Sequence, residues 1–202
     1  MITRKLYLKP DDSSSISKEE LPDLQFNELI FFSTHNSLIN PCQLTCETNM
    51  KEINKYLLFL KYFPICIELD IIKLEGLIFG HGNGTTMEHT AVFEQIIKQI
   101  KQLGETWYPL VISFDISQIK PVTKVKEEQL MSYMGIFDEY RYKRTFTPKT
   151  QLKDIMNKIL FRFKSQNNIA DIDKTMGHSI EFPNKIKSVV GISNMKTHLT
   201  DK

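Results

Sequence analysis

"PICIELDII", residues 64–72, is an apolar run broken by two carboxylates. Apolar residues in consecutive rather than alternate positions suit a strand covered on both faces, as in a parallel sheet. Side chains alternate along a strand, so Glu68 and Asp70, two residues apart, point to the same side. A sheet of this kind gathers its functional groups at the carboxyl ends of its strands. The neighbouring segments decide whether such a sheet exists.

Working outward, similar runs recur. "ELIFFS" (28–33), "GLIFG" (76–80), "YPLVISFDI" (108–116) and "KILFRF" (158–163) read as further strands. Between them, "MKEINKYLLFLKYF" (50–63) and "TAVFEQIIKQIKQLG" (90–104) carry apolar residues at helical spacing. In the second, Val92, Phe93, Ile96, Ile97, Ile100 and Leu103 form one face, and Gly104 supplies a stop. Strand alternating with helix predicts an α/β chain of parallel βα units. Five strands precede a polar stretch at 165–185, and "IKSVVGIS" (186–193) would be a sixth. A closed eight-unit barrel takes about 250 residues. The expected fold is TIM-barrel-like and incomplete.

Composition narrows the function classes. The chain has 202 residues, 41% hydrophobic and 25% charged, which is a globular balance. A formal charge of +2 excludes nucleic acid as the expected partner. No apolar stretch approaches the roughly 20 residues that span a bilayer, so no transmembrane segment is expected. The first twenty residues hold no apolar core of signal-peptide length. Three cysteines, Cys42, Cys46 and Cys66, make an odd count without zinc spacing and read as buried thiols of a reducing compartment. A cytoplasmic protein, peripheral at membranes, is the expectation.

Polar groups cluster where apolar runs stop. The first strand runs into His35 and Asn36, the second carries Glu68 and Asp70, "GLIFG" ends at His81, and "YPLVISFD" ends at Asp115. Singly, each has a local explanation as a cap, a turn residue or half of an ion pair. Together they place three carboxylates, an amide oxygen and two imidazoles at one expected rim. Oxygen donors from separate strands suit a hard cation, calcium before magnesium. Two histidines beside it suit phosphoryl transfer with general acid–base help.

"FFSTHNSLI", "CIELD", "IFGHGNGTT", "FEQIIKQI", "YPLVISFD" and "LKDIMNKILFRFK" together, in this order, resemble the X half of the catalytic barrel of eukaryotic phosphoinositide-specific phospholipase C. The resemblance covers residues 28 to about 164. It implies a TIM-barrel half that cleaves phosphatidylinositol phosphates to diacylglycerol and an inositol phosphate with calcium. By the same resemblance, His35 stabilises charge at phosphorus, and Asn36, Glu68, Asp70 and Asp115 hold Ca2+. Glu68, or alternatively Asp115, helps deprotonate the inositol 2-hydroxyl. His81 protonates the leaving oxygen and then activates water. Arg162 and Lys164, two apart on one face of a strand, match the family's basic pair for the ring phosphates.

The sequence also departs from the family. Its fourth-strand carboxylate is normally Glu, and Asp115 reaches roughly 1.5 Å less, against Ca–O distances near 2.4 Å. The loop after "ELD" reads "IIKLEG" instead of the usual Trp-Asp-Gly turn. "NKIKSVVGISNMK" faintly resembles the opening of the Y half that follows in the family. The expected organisation is a polar leader at 1–25, the X-type domain at 26–164, and a linker with a truncated Y-like start at 165–202. The expected partner is an inositol phospholipid at a membrane surface, with self-association or a separate Y half to complete the sheet. Two rivals stand beside this reading. One is an inactive headgroup-binding remnant. The other is a glycerophosphodiester phosphodiesterase, a barrel type that usually begins with a His-Arg dipeptide rather than His35-Asn36.

Overall fold

The computed structural model describes residues 23–26, 29, 31–34, 46–80, 86–116, 118–119, 124–144, 147 and 149–164. Four strands form the parallel part of the sheet, in the order β1, β2, β5, β6: Phe32–Thr34, Ile65–Lys73, Leu110–Asp115 and Ile159–Lys164. Helix α1 (Cys46–Leu58), with its 3-10 extension Phe59–Lys61, links β1 to β2, and α2 (His89–Gln102) precedes β5. Helices α3 (Lys124–Tyr133) and α4 (Leu152–Ile155) lie between β5 and β6. Among the described residues the sheet is open, with no pairing that closes it into a barrel. No described helix is long and apolar enough to cross a membrane.

One expected strand behaves differently. The sequence pattern predicts "GLIFG" as a parallel βα strand, but its residues Ile78–Phe79 (β3) run antiparallel to β2 and pair with Met87–Glu88 (β4). The apolar pattern is right and the direction is wrong, because only a short turn separates β3 from β2. A parallel neighbour needs a crossover of a dozen or more residues. Gly76 (φ 73°) and Leu77 (φ 41°) make that turn. Strand β2 accordingly continues past Asp70 to Lys73 to carry the ribbon.

The sheet has two chemically distinct faces. On one, Ile65, Ile67, Leu69 and Ile71 of β2 join Leu110, Ile112 and Phe114 of β5 and Ile159, Phe161 and Phe163 of β6. Helices α1 and α2 cover this face with Ile53, Leu57, Val92, Phe93, Ile96 and Ile100. The predicted face of α2 is thus the one that packs, and the helix is followed by Gly104 at φ 85°, where a side chain would be strained. Phe114 lies within ring-contact distance of Phe79, Phe93, Phe161 and Phe163, so aromatic packing pins the carboxyl-terminal end of β5.

On the opposite face, Cys66, Val111 and Leu160 pack with Leu24, Phe26, Leu29, Phe31, Leu152 and Ile155. Cys66 is a buried free thiol, as its apolar surroundings require. Leu24 lies ahead of the boundary expected at residue 25 and is buried here, while Phe26 N–H donates to Thr150 O at 2.8 Å. This apolar plug fills the amino-terminal end of the face. The carboxyl-terminal end is left to polar residues.

Register between β5 and β6 is set just before both strands begin. The Asn157 side-chain Oδ1 accepts the Trp107 N–H at 2.7 Å, and the Asn157 N–H donates to Trp107 O at 3.0 Å. Asn157 sits at φ 59°, a left-handed conformation that Asn tolerates better than most residues. Asn157→Ala loses both the side-chain bond to a buried N–H and that tolerance. It is expected to cost about 2–4 kcal/mol in denaturant unfolding. Asn157→Gly keeps the backbone freedom and is expected to cost about 1–2 kcal/mol. Equal losses would show that backbone conformation plays no part.

Candidate functional site

The register of the parallel strands builds the site. β2 pairs with β5 so that Glu68 lies opposite Ser113 and Asp70 opposite Asp115. β5 pairs with β6 so that Ser113 lies opposite Arg162 and Asp115 opposite Lys164. Two rows therefore cross three strands on one face: Glu68, Ser113, Arg162, and above them Asp70, Asp115, Lys164. Neighbours within a row are about 4.8 Å apart along the hydrogen-bonding direction, and the rows are about 6.6 Å apart. Both rows run from an acid on β2 to a base on β6.

The strand pattern explains why these groups are tolerated. Glu68 and Asp70 are 8% and 9% exposed, and Ser113 is 2% exposed. Carboxylates are rarely so covered unless paired or coordinating a ligand. Here the odd-numbered residues of β2 carry the apolar packing on the helix side, so the even-numbered ones need not be apolar.

The antiparallel ribbon returns the chain to the same end of the sheet. Gly80 N–H donates to Asp70 O at 3.0 Å, so the end of β3 lies beside the second acidic residue of β2. A side chain at Gly80 would meet the tip of Ile72 (Cδ1) at 2.9 Å and Thr86 Cγ2 at 3.3 Å, so those side chains would have to shift to admit one. The outward turn at Gly76 is held by two neighbours: its N–H donates to Tyr133 Oη at 3.1 Å, and its carbonyl accepts from His89 Nδ1 at 2.8 Å. The expectation that His81 ends a parallel strand is overturned with the direction of β3. His81, His35 and Asn36 themselves lie outside the described residues, as do Cys42 and the expected strand at 186–193.

Of the eight expected site residues, the fold brings Glu68, Asp70, Asp115 and Arg162 onto one face, with Lys164 in register beside Asp115. Their donor chemistry is all oxygen on the acidic side, which fits a hard cation such as calcium. Among the described residues, however, no group of three or more His, Cys, Asp or Glu side chains converges to hold a metal ion. Sequence reasoning missed Ser113. Its signal is the spacing "SFD", which puts the hydroxyl two residues before Asp115 on the same face.

No family model matches the sequence, and no curated protein matches it. Solved structures similar to this chain include phosphatidylinositol-specific phospholipase C from Listeria monocytogenes, at 14% identity and TM-score 0.47, covering 73% of this chain and 55% of that one. L. pealei PLC21 is similar at 18% identity and TM-score 0.46, covering 84% of this chain and 24% of that one. S. officinalis PLC21 is similar at 17% identity and TM-score 0.42, covering 76% of this chain and 20% of that one. The chain thus spans about half the length of the first and a quarter or less of the others. Likenesses this distant add nothing to what the strand register places together.

Asp70 and Asp115 are direct register neighbours, and like charges so placed repel. Asp115→Asn is expected to raise stability in chelator by about 0.2–1 kcal/mol, read from thermal or denaturant unfolding. A fall in stability would instead mark Asp115 as a structural cap.

Proposed function

We propose that this chain is a phosphodiesterase of the phosphoinositide phospholipase C type, acting on inositol phospholipids at a membrane surface. The observation that carries this reading is the pair of rows running from carboxylate on β2 to base on β6 at one end of a parallel sheet. A ligand spanning them meets proton acceptors at one side and phosphate-binding cations at the other. An inositol phosphate, a polyol bearing phosphates, has both requirements.

The residues act as follows. Glu68 accepts a proton from the inositol 2-hydroxyl, which attacks phosphorus and expels the diacylglycerol oxygen as a cyclic phosphate forms. Arg162, whose planar guanidinium binds phosphate in bidentate fashion, orients the ring together with Lys164. His35 and His81 keep the roles the sequence resemblance gives them: charge stabilisation at phosphorus, and proton donation to the leaving oxygen. An imidazole near pKa 6.5 suits successive acid and base steps. By the sequence resemblance Glu68, Asp70, Asp115 and Asn36 would hold calcium, which when bound would supply Lewis-acid polarisation and screen the phosphoryl charge; the three carboxylates do not converge in the described structure and would have to draw together around it.

Asp115, one methylene short of the glutamate usual in the family, favours a second reading, an inactive protein that binds the headgroup. The two separate on vesicles of phosphatidylinositol and of its bisphosphate, assayed with calcium and with chelator. The expected outcome is calcium-dependent release of water-soluble inositol phosphate, falling roughly 10²–10⁴-fold in Glu68→Gln. Arg162→Ala is expected to weaken the bisphosphorylated lipid more than phosphatidylinositol, because its charge meets ring phosphates. Vesicle binding without hydrolysis, lost in Arg162→Ala, would leave the inactive reading in place. Neither hydrolysis nor binding would remove both.

Calcium has its own measurement. Mass action predicts a higher melting temperature in millimolar calcium than in chelator. With Asp115 short, the dissociation constant is expected on the order of 10⁻⁴ M or weaker, and Asp115→Glu should tighten it. Identical melting in calcium and chelator would take calcium out of the mechanism.

A further inference from the structure

Strand β2 changes neighbours at Asp70. Up to that residue it pairs with β5, and Asp70 opposite Asp115 is the last pair. Beyond it, among the described residues, β2 pairs with β3 through Ile71↔Phe79 and Lys73↔Ile78. The Asp70 carbonyl stands at the junction and accepts the N–H of Gly80, a buried residue. The place of Asp70 in the acidic row therefore depends on the ribbon as well as on the parallel sheet.

The ribbon does not hold itself. With two paired positions in each of its ladders, it needs packing against other elements to persist. Its turn is also strained, because Leu77 has φ 41°, a conformation that residues with a branched side chain rarely adopt. Such strain survives only where the surroundings over-determine it. Here the surroundings grip Gly76. That residue is exposed, so water could satisfy both its N–H and its carbonyl. Instead the N–H donates to Tyr133 Oη at 3.1 Å, and His89 Nδ1 donates to the carbonyl at 2.8 Å. A carbonyl can only accept, so Nδ1 carries the proton. The two side chains come from α3 and α2, and their rings meet edge-on with centroids 4.5 Å apart. The His89 backbone N–H adds a bond to Leu77 O at 3.0 Å. Side-chain capture gives these groups no bond that solvent would deny them; what it adds is a fixed place for the turn.

We propose that His89 and Tyr133 are positioning residues of the candidate site: by gripping Gly76 they keep the ribbon where Gly80 fixes the backbone of Asp70. The inference rests on the reading of Asp70 as part of a working site. It adds to that reading a control of the acidic row by two helices that lie outside both rows.

The test compares His89→Ala, His89→Asn and Tyr133→Phe with wild type. His89→Ala removes the donor to Gly76, Tyr133→Phe removes the acceptor, and His89→Asn keeps an amide N–H near the place of Nδ1. Amide exchange at Gly80, followed by NMR without ligand, is expected to accelerate roughly 10-fold in His89→Ala and in Tyr133→Phe, the effect of losing one hydrogen bond in a locally opening segment. The Leu110 amide, which donates to Lys158 O between β5 and β6, is expected to keep its rate. His89→Asn should restore most of the protection at Gly80. Equal acceleration at Gly80 and Leu110 would mark a general loss of stability and overturn the proposal, as would an unchanged rate at Gly80. The second readout is calcium-dependent release of inositol phosphate from phosphatidylinositol vesicles. It is expected to fall about 10-fold in Tyr133→Phe while vesicle binding is kept, because misplacing a group at the site costs turnover before affinity. Faster exchange at Gly80 with full turnover would make the grip on Gly76 purely structural and overturn the positioning role. If wild type releases no inositol phosphate, the phospholipase reading falls by itself, and exchange at Gly80 against Leu110 alone decides whether the two side chains hold the ribbon beside Asp70.

Discussion

Everything at the site depends on the pairing of β5 between β2 and β6. Side chains on a strand alternate with a period of two, so a slip of one residue would exchange the faces. Glu68, Asp70, Ser113 and Asp115 would then point into the aromatic layer of Phe79, Phe93 and Phe161, and Leu69 and Phe114 would face the opposite way. Burying uncompensated carboxylates costs far more than any ladder of hydrogen bonds returns. The register is therefore chosen twice, once by the apolar residues that need the helices and once by the acids that cannot enter their layer.

Local devices support that choice. The reciprocal bonds between Trp107 and Asn157 align the approaches to β5 and β6. The Phe114 ring holds the carboxyl-terminal end of β5 among four other phenylalanines. At the amino-terminal end of the other face, Phe26, Phe31, Val111 and Leu160 seal the sheet, which confines polar residues to the carboxyl-terminal end. The site is where it is because apolar material fills both other places a side chain on these strands can go.

The antiparallel ribbon adds a constraint of a different kind. It extends β2 beyond the acidic pair and turns at Gly76 and Leu77 before returning. The bond from Gly80 N–H to Asp70 O fastens the return beside the upper row. The turn is held from outside by His89 and Tyr133, which belong to the helices on either side of β5. Helix packing and site geometry are coupled through this short segment.

Much was legible from the residues alone. The strands around Cys66–Asp70, Leu110–Asp115 and Ile159–Phe163, the packed face of α2 and the shared side of Glu68 and Asp70 all follow from periodicity, which is a local property. The direction of β3 was not legible, because an apolar dipeptide reads alike in either orientation and only the connection length distinguishes them. Helix α3 was missed because its ten residues, "KVKEEQLMSY", carry too few apolar positions to mark a face. Which residue of one strand meets which of the next is not written in any single strand. The meeting of Glu68 with Ser113 and Arg162 is long-range, set by packing across segments some fifty residues apart. The sequence by itself determined which residue types lie on a common face; only the tertiary structure decided which of them are neighbours, because register is an interaction between strands.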